Sequence, residues 1–319
     1  MEPTHLRRGG ESLTQEYITE IKRGALSWIV KNIHYFDMNH KVANDFRWRL
    51  KTFIELIFLT NYLIRNQADD KEVAVLTEFI TERLHNDQLE EFIHFDPDGL
   101  AGLAIAGEFL TLTDHPSRAS VIWELEKFTA ARFDCSLAKV PFRKMDLKYS
   151  LQRAGVTSEI TDFSDLYHCT AAGQDVPNTY MTDHDAYSIT HTIFYITDMG
   201  CSSLTEKEYH LPSLKEKVLK FLGIYICLEN LDITSELLMC SSFLHIDMDK
   251  DNHKPLYEAA WNKIYQGRMK EGNVPSITYK PKPGLKGEQR REDVFKHCYH
   301  TTLVAAGAAH ACLRAERND

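Results

Sequence analysis

Segments with a helical period follow one another along this 319-residue chain at a nearly constant spacing, and that spacing limits the folds open to it. No run alternates polar and apolar side chains for long enough to compete as a strand. Amphipathic segments (116–132, 160–172, 213–227 and 256–269) alternate with more apolar ones that begin near Leu50, Leu100, Met145, Tyr187, Leu231 and His297. These starts lie 50, 45, 42, 44 and 66 residues apart, and the long last interval holds an insertion, G-N-V-P-S-I-T-Y-K-P-K-P-G-L-K-G, within a loop over 272–291. A unit of about 45 residues with one outer and one inner helix is the mark of helical-pair repeats.

The chain is therefore expected to be all-α, with about twelve helices in six pairs. It reads as one domain over residues 1–319, because no Ser/Gly/Pro linker separates two composition regimes. The inner segments are apolar on more than one face, as a central ring requires. The terminal pairs lack the polar outer face that an open array needs at its ends. Both features point to a closed α/α toroid, with an open HEAT-like solenoid as the alternative.

Charge and hydropathy narrow the function. With a net charge of -9 and acids and bases interspersed, the chain offers no continuous basic field, so no nucleic-acid partner is expected. The basic cluster over 280–291 is rich in Pro and Gly and reads as a solvated loop. Apolar runs such as 224–228 and 304–309 fall far short of the roughly 20 residues a membrane span needs. Residues 1–11 have no apolar stretch behind Arg7 and Arg8 and do not read as a secretory signal. Seven cysteines without a C-x-x-C pair suit a reducing compartment, and a cytoplasmic location follows. No dinucleotide fingerprint, P-loop, nucleophile elbow or kinase set occurs, so no cofactor is expected.

The candidate chemistry gathers on the stretch 181–200, M-T-D-H-D-A-Y-S-I-T-H-T-I-F-Y-I-T-D-M-G. At 3.6 residues per turn Ile189, Ile193 and Ile196 share one side, while Tyr187, His191, Tyr195 and Asp198 share another. The first side suits a core and the second a site. Asp183 or Asp185 can cap the helix, and Gly200 can close it in a left-handed conformation. A histidine, with an ordinary pKa of about 6.5, is a natural acid or base. His191 is thus a catalytic candidate with Tyr187, Tyr195 and Asp185, and Asp198 reads as structural. A buried histidine bonded across the helix pair is the alternative for His191.

If the inner helices run the same way, their N-terminal ends share a rim that favours an anionic ligand. Asp98, Lys144, Asp146, Asp232 and His297 stand there as candidate substrate-binding residues, with His300 as a further catalytic one. Helix capping explains Asp98, Asp146 and Asp232 equally well. His297, Cys298 and His300, with His191 or Cys240, offer ligand-type side chains, but nothing matches H-E-x-x-H or a C-x-x-C framework, so no metal is expected. The tract His245, Asp247, Asp249, Asp251 and His253 lacks the glycine and the terminal glutamate of a calcium loop.

The strings Y-S-I-T-H-T-I-F-Y-I-T-D-M-G at 187–200, V-P-F-R-K-M-D-L-K-Y-S-L-Q-R-A-G-V at 140–156 and C-Y-H-T-T-L-V at 298–304 resemble the signatures of an uncharacterised bacterial family of all-helical proteins, often met near natural-product gene clusters. That resemblance implies a tailoring role in peptide or other secondary-metabolite biosynthesis and assigns no catalytic residue. The architecture also resembles the helical toroids of lanthionine cyclases and terpene cyclases. The zinc motifs of the former and the D-D-x-x-D and D-x-D-D motifs of the latter are absent. The expectation is a zinc-independent thioether or related cyclase of RiPP-type peptide biosynthesis. It would act on a precursor peptide or small-molecule intermediate, alone or beside a partner enzyme of the same pathway. The competing expectation is a non-catalytic helical-repeat protein that presents a precursor peptide or carrier domain to another enzyme, with the loop over 272–291 as its docking surface.

Overall fold

The structure, a computed structural model, describes residues 13–39, 46–84, 99–175, 177, 180–205 and 209–318. Thirteen α-helices and no strand occur among them. They are α1 (Leu13–Lys31), α2 (Phe46–Arg65), α3 (Lys71–Arg83), α4 (Gly99–Leu112), α5 (Arg118–Ala130), α6 (Phe133–Ser136), α7 (Pro141–Ala154), α8 (Phe163–Tyr167), α9 (Asp183–Ile196), α10 (Leu211–Cys227), α11 (Leu231–Phe243), α12 (Lys254–Gly267) and α13 (Gly287–Asn318). Among the described residues no helix is long and apolar enough to cross a membrane.

Burial separates two layers. Helix α11 buries 12 of its 13 residues and α4 buries 11 of its 14, whereas α12 buries three and α5 two, so the first pair is central and the second peripheral. The six apolar segments of the repeat are α2, α4, α7, α9, α11 and α13. Helix α2 packs on α4, α4 on α7, α7 on α9, α9 on α11, α11 on α13, and α13 on α2. Helix α1 packs on α13, α12 and α3, while α10 lies against α11 and α12.

Two boundaries differ from expectation. The outer segment at 160–172 shrinks to the single turn of α8. The carbonyls of Ala171, Ala172 and Gln174 accept from Lys217 Nζ at 2.9, 3.0 and 2.7 Å. The last inner helix starts at Gly287, ten residues before His297, because G-E-Q-R-R-E-D-V-F-K is rich in strong helix formers. The inserted loop consequently ends at residue 286. Its first part is not a free surface: Gly272 (φ +96°) lies so close to α1 that a Cβ would sit 2.5 Å from the Gly24 carbonyl oxygen. The Val274 amide donates to Thr302 Oγ1 at 2.9 Å, and the Ser276 amide to the His297 carbonyl at 3.0 Å.

Helix α9 starts in a capping box: Thr182 is the N-cap, and Asp185 Oδ2 accepts from the Thr182 amide at 2.8 Å. It ends where Asp198, Met199 and Gly200 all take positive φ. At Gly200 (φ +78°) a Cβ would come within 2.4 Å of Phe243 Cδ1 on α11, so both the backbone and the packing demand glycine. Gly200→Ala is expected to cost about 2 to 4 kcal/mol and to lower the melting temperature by several degrees. Pairing it with Phe243→Leu should recover part of that loss, and a thermal melt of Gly200→Ala that matches wild type would refute the contact.

Candidate functional site

All six inner helices contribute to one cavity of about 1090 Å³. Trp48, Phe58, Ile105, Phe194, Met239 and Leu303 give it apolar walls, and Lys51 and Arg143 bring positive charge to its lining. Tyr187, His191 and Tyr195 face into it, so three members of the expected stripe share one surface. Asp198, the fourth, follows the end of α9 and belongs elsewhere: it accepts from Arg65 Nη2 at 2.6 Å and from the Tyr149 hydroxyl at 3.0 Å.

Two histidine-centred clusters stand side by side. In the first, His300 Nδ1–H donates to Glu55 Oε2 at 2.9 Å, and its Nε2 lies 3.6 Å from Asp232 Oδ2. The Tyr187 hydroxyl donates to the same Asp232 oxygen at 2.7 Å. Burial opposes a charge on His300, but the carboxylates of Glu55 and Asp232 outweigh it and raise its pKa well above the ordinary histidine value. Burial likewise opposes ionisation of Glu55 and Asp232, and the His300 imidazolium overcomes it and lowers both. In the second cluster His191 Nδ1 is 3.2 Å from the Tyr195 hydroxyl, and its Nε2 is 3.6 Å from Glu236 Oε1. Thr190 Oγ1 donates a hydrogen bond to the other Glu236 oxygen.

Burial, reinforced by Asp232 at Tyr187 and by Asp146 at Tyr195, pushes both phenols far above their ordinary range. Both therefore serve as hydroxyl donors. Asp146 lines the cavity with Arg143, whose Nη1 approaches it to 3.4 Å. Asp232 is not the cap of α11. Asn230 takes that role, its Oδ1 accepting from the Ile233 amide at 3.2 Å, which leaves Asp232 to Tyr187 and His300.

Several expected site residues are placed elsewhere. Asp185 is half-buried and spent on the capping box. Lys144 is one position away from Arg143, the base that does line the cavity. His297 bonds the Asp293 carbonyl at 3.1 Å and packs on Tyr279 beneath the inserted loop, because the earlier start of α13 moves it off the rim. Asp98 lies outside the described residues. The thiols named as dispersed ligands do not join His300: Cys240 faces the Thr190 carbonyl at 3.7 Å, and burial pushes Cys298 up to about 11. Glu55 and Glu236 escape sequence reasoning. Their signal is an acid set against an apolar run, F-I-E-L-I-F and T-S-E-L-L-M.

Fold and cavity together define an all-helical protein that gathers polar groups from five of its six inner helices onto one cavity surface. The chain belongs to the family described as domain of unknown function DUF6895, which matches residues 22–310. No curated protein and no solved structure matches it.

Further along α13, His310 stands beside the Lys22–Asp70 ion pair (2.7 Å), and its Nε2 is enclosed without a hydrogen-bond partner. Burial, helped by the Lys22 charge, pushes its pKa down to about 4. The unfolded chain binds this proton near pH 6.5 and the native chain only near 4, so stability should fall as pH drops through that window. The loss from this residue is expected to reach roughly 3 kcal/mol. Denaturant unfolding of His310→Gln between pH 7 and 4 should show a flatter dependence than wild type, and parallel curves would remove His310 as the source.

Proposed function

We propose that this protein is an enzyme of lyase or cyclase type that works by general acid–base chemistry in the cavity of a closed α/α toroid. The observation that carries the reading is the pair of adjacent histidine–carboxylate clusters on one cavity wall. Closure is supported by the return contact of α13 on α2. His191 serves as base or acid: its Nε2 is too far from Glu236 for a direct hydrogen bond, so it can take a proton from a group seated in the cavity. Tyr187, Tyr195 and His300 supply donors and positive charge for an anionic or enolate-like intermediate. Lys51 and Arg143 suit an anionic substrate group, and the apolar walls suit a large hydrophobic body.

The substrate class is a precursor peptide or small-molecule intermediate of natural-product biosynthesis, in keeping with the signature strings at 140–156, 187–200 and 298–304. For a thioether closure the thiol S–H breaks, a new S–C bond forms at a dehydro residue, and the proton passes to the adjacent carbon, so mass is unchanged. Seven free cysteines fit a cytoplasmic setting.

The test incubates the purified protein alone with a dehydrated or linear precursor peptide, followed by mass spectrometry with thiol labelling. Loss of labelling at unchanged mass is expected. His191→Ala should cut this at least about 100-fold while the melting temperature stays within a few degrees of wild type. Product that forms only when a second protein is added would instead favour the presenting-partner reading. A destabilised His191→Ala protein with full activity per folded molecule would remove His191 from the mechanism.

A further inference from the structure

Helix α11 carries Asp232 and Glu236 one turn apart on one face, 6% and 3% exposed, and α13 brings His300 against them. One ligand-type atom from each of the three residues lies within 4.8 Å of the others. We propose that Asp232, Glu236 and His300 are the protein ligands of a divalent transition-metal ion, with its remaining positions open to water or substrate in the cavity. The acid–base reading above does not contain this site, and sequence motifs alone argue against any metal.

Three features support it besides proximity. Glu55 holds His300 by Nδ1 at 2.9 Å, which aims Nε2 at the two carboxylates, the orientation that outer carboxylates impose on metal-binding imidazoles. Each acid has one oxygen already held by a hydroxyl, Asp232 by Tyr187 at 2.7 Å and Glu236 by Thr190. The other Asp232 oxygen, Oδ1, is fully enclosed and has no hydrogen-bond partner. An unpaired carboxylate oxygen in so buried a place is costly, and a cation is the group that satisfies it. One imidazole with two carboxylates selects an ion of the Zn²⁺, Mn²⁺ or Fe²⁺ kind over the all-oxygen preference of Ca²⁺ and over thiolate-seeking Cu⁺. On binding, the ion replaces the Nε2 proton of His300, which leaves to solvent. His191, 3.6 Å from Glu236, borders the site and keeps its own proton-transfer role.

The experiment is uptake of metal alone by the full chain after dialysis against a chelator. Co²⁺ serves as the spectroscopic probe, and elemental analysis follows reconstitution with Zn²⁺ or Mn²⁺. One equivalent per chain, with a visible ligand-field band, is expected. Asp232→Asn and Glu236→Gln should each weaken Co²⁺ binding at least about 100-fold, and Glu55→Gln by roughly 10- to 100-fold. Asp247→Asn with Asp249→Asn, in the exposed turn between α11 and α12, should leave it unchanged. If a ligand variant fails to fold, the wild-type melting temperature supplies the check, since it must rise with Co²⁺ concentration. No uptake of any of the three ions, uptake that survives Asp232→Asn, or uptake lost in the turn variant would each overturn the site. Binding without turnover leaves the metal standing and removes the enzyme reading, whereas full turnover by protein that takes up no metal does the reverse.

Discussion

Arg65 at the end of α2 ties four inner helices at one level. Its guanidinium donates to the Tyr149 hydroxyl of α7 at 2.6 Å and to Asp198 beyond α9 at 2.6 Å, and it lies 3.7 Å from Glu108 of α4. Arg153 of α7 completes the set, 2.9 Å from Glu108 and 3.7 Å from Asp198. The Arg65 and Glu108 side chains are only 7% and 4% exposed. A buried charge that loses its partner costs several kcal/mol, so α2, α4, α7 and the end of α9 are held to the one arrangement in which every partner arrives. The backbone bends to meet that demand: Asp198 and Met199 take φ of 48° and 53°, a conformation that costs L-residues about 1 kcal/mol or more each. This network fixes where α2 stands, and α2 also carries Glu55.

Most of the fold is legible in the sequence because its signal is periodic. Each apolar segment of the repeat becomes one inner helix, and the insertion within the long last interval becomes a loop. The site is legible only where a residue type is chemically unusual for its segment. His191 and its two tyrosines stand out on an otherwise apolar stretch, and so do Asp232 and His300. Glu55 and Glu236 do not, since an acid on a single helix reads as its solvated side. Only packing on both flanks reveals that side as interior. The rim residues Lys144 and His297 rest on the position of helix starts, the least secure feature of a periodic pattern. One helix beginning ten residues early is enough to carry His297 out of the site.

The two polar layers of the interior differ in charge balance, and that difference separates a structural network from a site. Around Arg65 two cations face two carboxylates, and the network opens onto Asn61 and Tyr149 as further hydrogen-bond partners. Such a network rigidifies its helices and has little left to offer a ligand. Around His300 three carboxylates, Glu55, Asp232 and Glu236, converge on one imidazolium, with the exposed Lys51 ammonium 3.6 Å from Glu55 and His191 at the border. One Asp232 oxygen there has no partner. Folding alone does not favour an excess of buried negative charge, because hydrophobic residues of the same volume would be neutral or stabilising in its place. Glu55, Glu236, His191 and His300 of this cluster line the cavity, so it is open to a ligand where the Arg65 network is closed by its own partners.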